Sequence, residues 1–451
     1  MKTIQFQCKT LLLLLLIVFA FASCRNGTDG ETKNPDADSN SEQVNNAQVK
    51  DYDDDAISPN KSQSKGTTIA EGERGVTSPN LPEGNKAPIT LDCNYFTENP
   101  NTVLKDNLEA PVDYIITCVT RVNGKLTIDP GVVIAFEQDA GLEFKDKSSF
   151  KMEGTAKKPI ILTGKEKTKG FWRGIHTESP SPNNVMSYVT IDYAGGGGSK
   201  AALAIYKENS NLTMDHCTFS NSKYNGMVVN DEVGKDAHNI IMNNCTFTKN
   251  NIPVQTNITR LNMFNGSNSF SGNKNDYIHI DRQNLYGDAT WAKLDVPYFL
   301  QDNFMYKDGV LTVEPGTEII MSAQNWMHVS NKSSLVMVGT AADPIIIRGE
   351  HDAAGFWQQL NIDSSSPLNE IGHVIFKNAG RTTDTPNGAV FLGSSNFLNI
   401  HDVVFSNCFE YGLSIQNASK SHLEHTNLSL DNTSKLFSNW KGEEVADPDN
   451  T

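Results

Sequence analysis

The chain has 451 residues and a formal charge of −15, and without residues 1–23, which hold Lys2 and Lys9 and no acid, the charge is −17. Such an excess of acid repels phosphate backbones and anionic headgroups, so nucleic acid is excluded as a partner. The length admits either two or three average domains or one elongated repeat body.

Lys2 and Lys9 precede an apolar run from Leu11 to Ala22, which ends in small residues before Cys24, the three-part layout of a secretory signal. The run is too short for the roughly 20 residues that a spanning helix needs, so cleavage is expected. Phe21-Ala22-Ser23-Cys24 resembles the bacterial lipobox, with Phe21 where Leu is commoner. That resemblance implies a signal peptide over 1–23, a lipid on Cys24 as the mature N-terminus, and membrane attachment through that lipid. Arg25, rather than Asp, in the next position implies the outer membrane, facing either the periplasm or the outside. The alternative is an ordinary secreted protein cut nearby, with Cys24 incidental.

Residues 24–88 are rich in Asn, Asp, Ser, Glu, Gly, Lys and Pro, with very few large apolar side chains. They bury too little surface to offset ordering entropy and are expected to form a disordered tether with a reach on the order of 45 Å. The acidic run at Asp51, Asp53, Asp54 and Asp55 is a solvated linker cluster rather than a calcium site.

The chain then repeats itself at an offset of 185 residues. Leu126–Gly131 (LTIDPG) recurs as Leu311–Gly316 (LTVEPG), and Met152–Ile161 (MEGTAKKPII) recurs as Met337–Ile346 (MVGTAADPII). Gly170-Phe171-Trp172 recurs as Gly355-Phe356-Trp357, and Ala194-Gly195 as Ala379-Gly380. Beyond that point the register slips by one or two, and Phe219-Ser220-Asn221 with Gly226 matches Phe405-Ser406-Asn407 with Gly412.

Within each copy, short apolar or β-branched runs such as Val132 to Phe136, Ile160 to Thr163 and Val189 to Ile191 alternate with Gly, Asn, Asp, Ser and Pro. Helical periodicity is absent from the mature chain, which therefore reads as all-β. Phe219, Phe247 and Phe270 occupy equivalent places at spacings of 28 and 23 residues, a β-solenoid signature. Residues 93–122 and 425–440 are the expected end caps.

The segments GKLTIDPGVVIAF (124–136), GTAKKPIILTG (154–164) and GFWRGI (170–175) are similar to right-handed parallel β-helix proteins of bacterial surfaces, particularly lipoproteins of the Bacteroidota. The resemblance implies a first β-helix copy over 89–291, a second over 292–440 and a tail over 441–451. Gln358-Gln359 departs from the Arg173-Gly174 of the first copy.

Of seven cysteines, five lie outside the export segment, so an oxidising compartment leaves at least one free thiol. Cys93 and Cys118, about one coil apart, are a candidate disulfide. Cys217 and Cys245 share a Cys-Thr-Phe context and read as core residues. No His/Cys spacing argues for zinc, and no cofactor is implied.

Parallel β-helices include polysaccharide lyases and glycosidases. Asp215-His216-Cys217 resembles the Asp-His-Cys stretch of pectate lyases, but the Arg-x-Pro-x-x-Arg context and a calcium-binding carboxylate set are missing. The sister coil swaps the order to His401-Asp402, which suits a solvated corner better than a catalytic pair. The aspartate trio, Gly-His-Gly and Arg-Ile-Lys elements of pectin-hydrolysing enzymes are also missing. Carboxylate pairs such as Asp129 with Glu137 or Glu314 with Glu318 are common on solvated solenoid faces. His176, His279, His328, His373 and His401 read as surface residues. No catalytic residue is assigned.

Aromatics offer a binding lead. Trp172, Trp357 and Tyr193 are candidate platforms for sugar rings, joined by Phe171, Trp291 and Trp326. Core packing is the favoured reading of the two tryptophans. Gly195–Gly198 reads as a loop projecting from the solenoid. The leading function is a non-catalytic envelope lipoprotein whose rod binds glycans, adheres, or assembles with envelope proteins. A polysaccharide lyase or glycoside hydrolase, and a purely structural spacer, are the alternatives.

Overall fold

A computed structural model describes residues 85–230, 239–281, 284–381 and 388–448. The export segment 1–23, Cys24 and nearly all of the expected tether lie outside the described residues. The described chain is an internally duplicated parallel β-helix of about 13 turns. At about 4.8 Å per turn the rod is on the order of 60 Å long.

Each coil of the first copy places one strand on each of three faces. One face is a seven-stranded sheet running from Ile89–Leu91 to Thr246–Thr248. A second is a six-stranded sheet running from Val103–Leu104 to Ile240–Asn243. The third, here called the long sheet, carries Val119–Val122, Gly141–Phe144, Gly174–Thr177, Ala201–Tyr206, Asn225–Asn230 and Ile252–Asn257 in parallel register.

The long sheet does not stop at the junction between the copies. Val254 pairs with Ile278, Ile278 with Tyr298, and Tyr298 with Ile319. By the 185-residue offset, Glu318–Met321 corresponds to Val133–Phe136, a strand of the first seven-stranded sheet. Equivalent strands of the two copies therefore stand on different faces, turned by one face about the axis. The 3-10 turn Ile258–Met263 packs on Ile240–Asn243 where the six-stranded sheet ends, and a new seven-stranded sheet starts at Asn284–Leu285.

Corners are made by single residues in the left-handed region. Tyr188, His216 and Asn244 stand at one corner of successive coils, with φ of 48°, 52° and 53°. Tyr193, Asn221 and Lys249 stand at the next, with φ of 61°, 52° and 60°. In the second copy the same places are held by His373, Asp402 and Asn427, and by Asn378, Asn407 and Asn432. Asn, Asp and His tolerate this conformation best among residues with a side chain, and they fill nine of these twelve corners.

Inward side chains stack from coil to coil. The rings of Phe219 and Phe247 lie 4.7 Å apart, and those of Phe247 and Phe270 lie 5.4 Å apart, as the repeat spacing predicts. Buried polar groups are matched between copies. Asn184 accepts from the Phe150 N–H (3.0 Å) and donates to the carbonyls of Ser179 (3.2 Å) and Asn211 (3.0 Å). Asn369 repeats this with Leu335, Ser364 and Phe397 at 3.0, 3.0 and 3.1 Å. One asparagine thus satisfies three main-chain groups that a turn would otherwise bury unpaired.

The N-terminal end is closed by the short helix Tyr95–Glu98, whose Phe96 is buried in the core. Cys93 and Cys118 form a disulfide there, and the Thr120 hydroxyl donates to the Cys93 carbonyl (3.0 Å). Cys217, Cys245 and Cys408 are free and buried.

Candidate functional site

The two candidate tryptophans pack in the core, as the sequence favoured, and form no sugar platform. Trp172 and Trp357 are both fully buried. Each indole N–H donates at 2.8 Å to a carbonyl where a strand ends, that of Asp192 in the first copy and of Lys377 in the second. Trp172 also stacks on Phe136 with ring centroids 3.9 Å apart. A large ring whose one polar atom has a buried acceptor belongs in the core, and the matched pair marks packing, not binding. Tyr193 is a half-buried corner residue, with Lys167 Nζ 5.5 Å above its ring. Its counterpart is Asn378, which donates to Asp352 (2.8 Å), the residue standing where Lys167 stands in the first copy. Trp291 is fully buried as well, while Phe171 and Trp326 are half-buried.

The glycine run does not project. A Cβ on Gly196 would meet the Gly170 carbonyl oxygen at 2.0 Å, and one on Gly197 would meet Arg173; Gly198 alone has open space around it. The loop lies flat because its glycines let the coils touch.

The acid and imidazole pairs are corner furniture. His216 Nδ1 lies 2.9 Å from Asp215, whose other oxygen accepts from the next corner, Asn244 (2.9 Å), while its ring stacks on Tyr188. Cys217 points into the core. In the second copy His401 Nδ1 lies 2.9 Å from Asp402 and its Nε2 lies 3.2 Å from Glu370, while Asp402 accepts from Asn427 (2.6 Å). Either order of the two residues puts a carboxylate beneath the asparagine of the following coil. Hydrogen bonding to Asp402, then to Glu370, holds the His401 imidazole above its ordinary value, against burial. Among the described residues no group of three or more His, Cys, Asp or Glu is arranged to hold a metal ion.

The best remaining surface is the outward row of the long sheet. Register places Arg121, Glu143, His176, Ala204, Val228, Gln255, His279 and Phe299 one above another. Its lower end is charged. Glu178 is gripped by Lys145 and lies 3.2 Å from Lys207, which also reaches Asp146 (2.6 Å). Burial raises the Glu178 carboxyl, but the hydrogen bonds from the two lysines outweigh it and hold the group below its ordinary value. His176 rests 4.8 Å from the Tyr206 ring, and burial, reinforced by Lys145, lowers its pKa.

The middle and upper parts of the row are apolar and amide-rich. Ala201, Ala204 and Val228 form a small cluster separate from the core, with Tyr206 against it. The Asn225 amide donates to Gln255 (3.0 Å), and Gln255 donates to Asp281 (2.7 Å). Tyr277 leans on Phe299 with centroids 5.0 Å apart, and His279 sits 5.6 Å from the same ring. Tyr206, Gln255 and Tyr277 are half-buried. Ala204, Val228, Asn225, His279 and Phe299 are buried, so the open groups of this face are the Gln255 amide and the Tyr206 and Tyr277 rings, which suit the hydroxyls and flat faces of a linear polymer. Sequence reading passed over this row, because its members are contiguous only once the coil lengths of 20 to 33 residues are known; outward parity in successive coils was the available signal.

Compared with protein-family models, curated proteins and solved structures, the chain matches none.

Proposed function

We propose that the protein is a lipid-anchored outer-membrane lipoprotein of the cell envelope, resembling those of the Bacteroidota, whose long sheet binds a linear glycan without turning it over. The half-buried Tyr206, Gln255 and Tyr277 on the outer side of the long sheet carry this reading. The apolar run to Ala22 and the Cys24 motif support the anchor, and the composition of 24–88 supports a tether that lets the rod reach its ligand. The acid and imidazole pairs are held by their corner partners, which argues against a lyase or hydrolase.

Polysaccharide arrays probed with the full chain test the binding. Tyr206→Ala and Tyr277→Ala should each weaken the glycan signal about tenfold, the scale of a lost stacking contact, with thermal melting unchanged. New reducing ends or ultraviolet-absorbing unsaturated sugars would establish the enzymatic reading instead. Silence in both assays would leave a spacer. Metabolic labelling with a palmitate analogue should mark the wild-type chain and miss Cys24→Ser.

A further inference from the structure

The two ends of the rod are built differently. At the N-terminal end the helix Tyr95–Glu98 packs on Val119–Val122, the first strand of the long sheet. At the other end the last strand of the long sheet, His422–Asp431, runs round a corner at Asn427 and, among the described residues, pairs on one side only, with Phe397–Ser406. The contrast in burial is large. Leu398, Ile400, Val403 and Phe405 are fully buried one coil earlier, whereas Leu423 and Leu428 below them are half-buried and Leu430 is 38% exposed.

The backbone points the same way. The His422 N–H donates to Asn396, and the Asp431 carbonyl accepts from Asn407, so both face the preceding coil. Strand alternation from either end then turns the N–H and C=O groups of Leu423, Leu428 and Leu430 outward along the rod axis. Among the described residues no strand covers that edge.

One third of a further coil is already present. Ser438 bridges Glu444, the Asn439 N–H donates to Glu443 (2.9 Å), and the Val445 N–H donates to Phe437 (3.3 Å), so the tail lines the face of the second seven-stranded sheet at the next level. Asp447 then crosses beneath the core to His425 (3.0 Å). A second copy docked end to end would bring its own strand Lys435–Asn439 into the level that this tail fills. A single strand on the other two faces meets no such obstacle.

We propose that His422–Asp431 is a docking edge for an extended polypeptide strand supplied by a second protein, which pairs with this strand around the corner and completes the coil that the tail begins. Only a peptide backbone offers donors and acceptors at the spacing of this edge. The incoming strand needs aliphatic side chains at alternate positions to cover Leu423, Leu428 and Leu430, with the alternation reset where it passes Asn427. Phe397–Ser406 has that pattern and already pairs with this strand from above. The inference is independent of glycan binding, which uses the flank and not the end.

A fluorescent synthetic peptide with the sequence of Phe397–Ser406 is the probe, titrated into the full chain in detergent and followed by anisotropy. Saturable binding at one peptide per chain is expected, with slowed amide exchange at Leu423, Leu428 and Leu430, which exchange fast in the free chain. Leu430→Pro removes one outward N–H and should weaken binding at least about tenfold. If that variant melts early, Leu430→Glu keeps the N–H, puts a charge in the apolar row, and should weaken binding similarly. The proposal is overturned by equal binding of a scrambled peptide, by binding that neither variant weakens, or by slow exchange of these amides in the free chain. It is equally overturned by a concentration-dependent dimer that protects them, which would assign the edge to a second copy.

Discussion

Single residues in this fold are chosen for the polar atoms they settle. Asn369, fully buried, holds one N–H and two carbonyls, and Asn369→Ala should cost roughly 3 kcal/mol by stranding them, read from urea unfolding. Trp172→Ala and Trp357→Ala should each cost about 3–5 kcal/mol through the cavity they leave, with glycan binding of the remaining folded protein unchanged. The histidines separate by environment. His401 is raised above 6.5, chiefly by its hydrogen bond to Asp402, so its contribution is complete below 6.5 and is lost as pH rises through its folded pKa. His176 is lowered, chiefly by burial, so its contribution is complete above 6.5 and is lost as pH falls through its folded pKa. Imidazole titration by NMR should place His401 above 6.5 and His176 below it; the reverse order would contradict the two environments.

At the scale of strands and corners, much was legible in advance. Short β-branched runs between Asn, Asp and Gly gave the strands, and the phenylalanine spacing gave the stacking register, because inward parity and corner chemistry are local properties of the chain. The Cys93–Cys118 bridge joins the segment before the helix Tyr95–Glu98 to the first strand of the long sheet. By the loop-entropy model for 25 residues it contributes about 3.5 kcal/mol. Cys93→Ser should therefore lower the melting temperature and speed amide exchange in the first two coils, leaving the second copy protected. Local reading favoured burial of the tryptophans without deciding it, and missed the flank. A Gly-Phe-Trp motif looks the same whether its indole faces solvent or a strand-end carbonyl, and the outward row is assembled from strands that only the winding brings together.

For the whole molecule, duplication and direction come apart. A sequence repeat at a fixed offset invites the picture of two like binding surfaces in line, and the pairing of Val254 with Ile278, of Ile278 with Tyr298 and of Tyr298 with Ile319 forbids it. Because the second block is rotated by a face, residues at matched positions view different sectors of the surroundings. A straight fibre lying along the rod meets unlike chemistry in the two halves, so it has a preferred polarity. Only a ligand that spirals with the coil, or two separate ligands, could engage the same motif twice, and each half has been free to diverge without spoiling a shared groove.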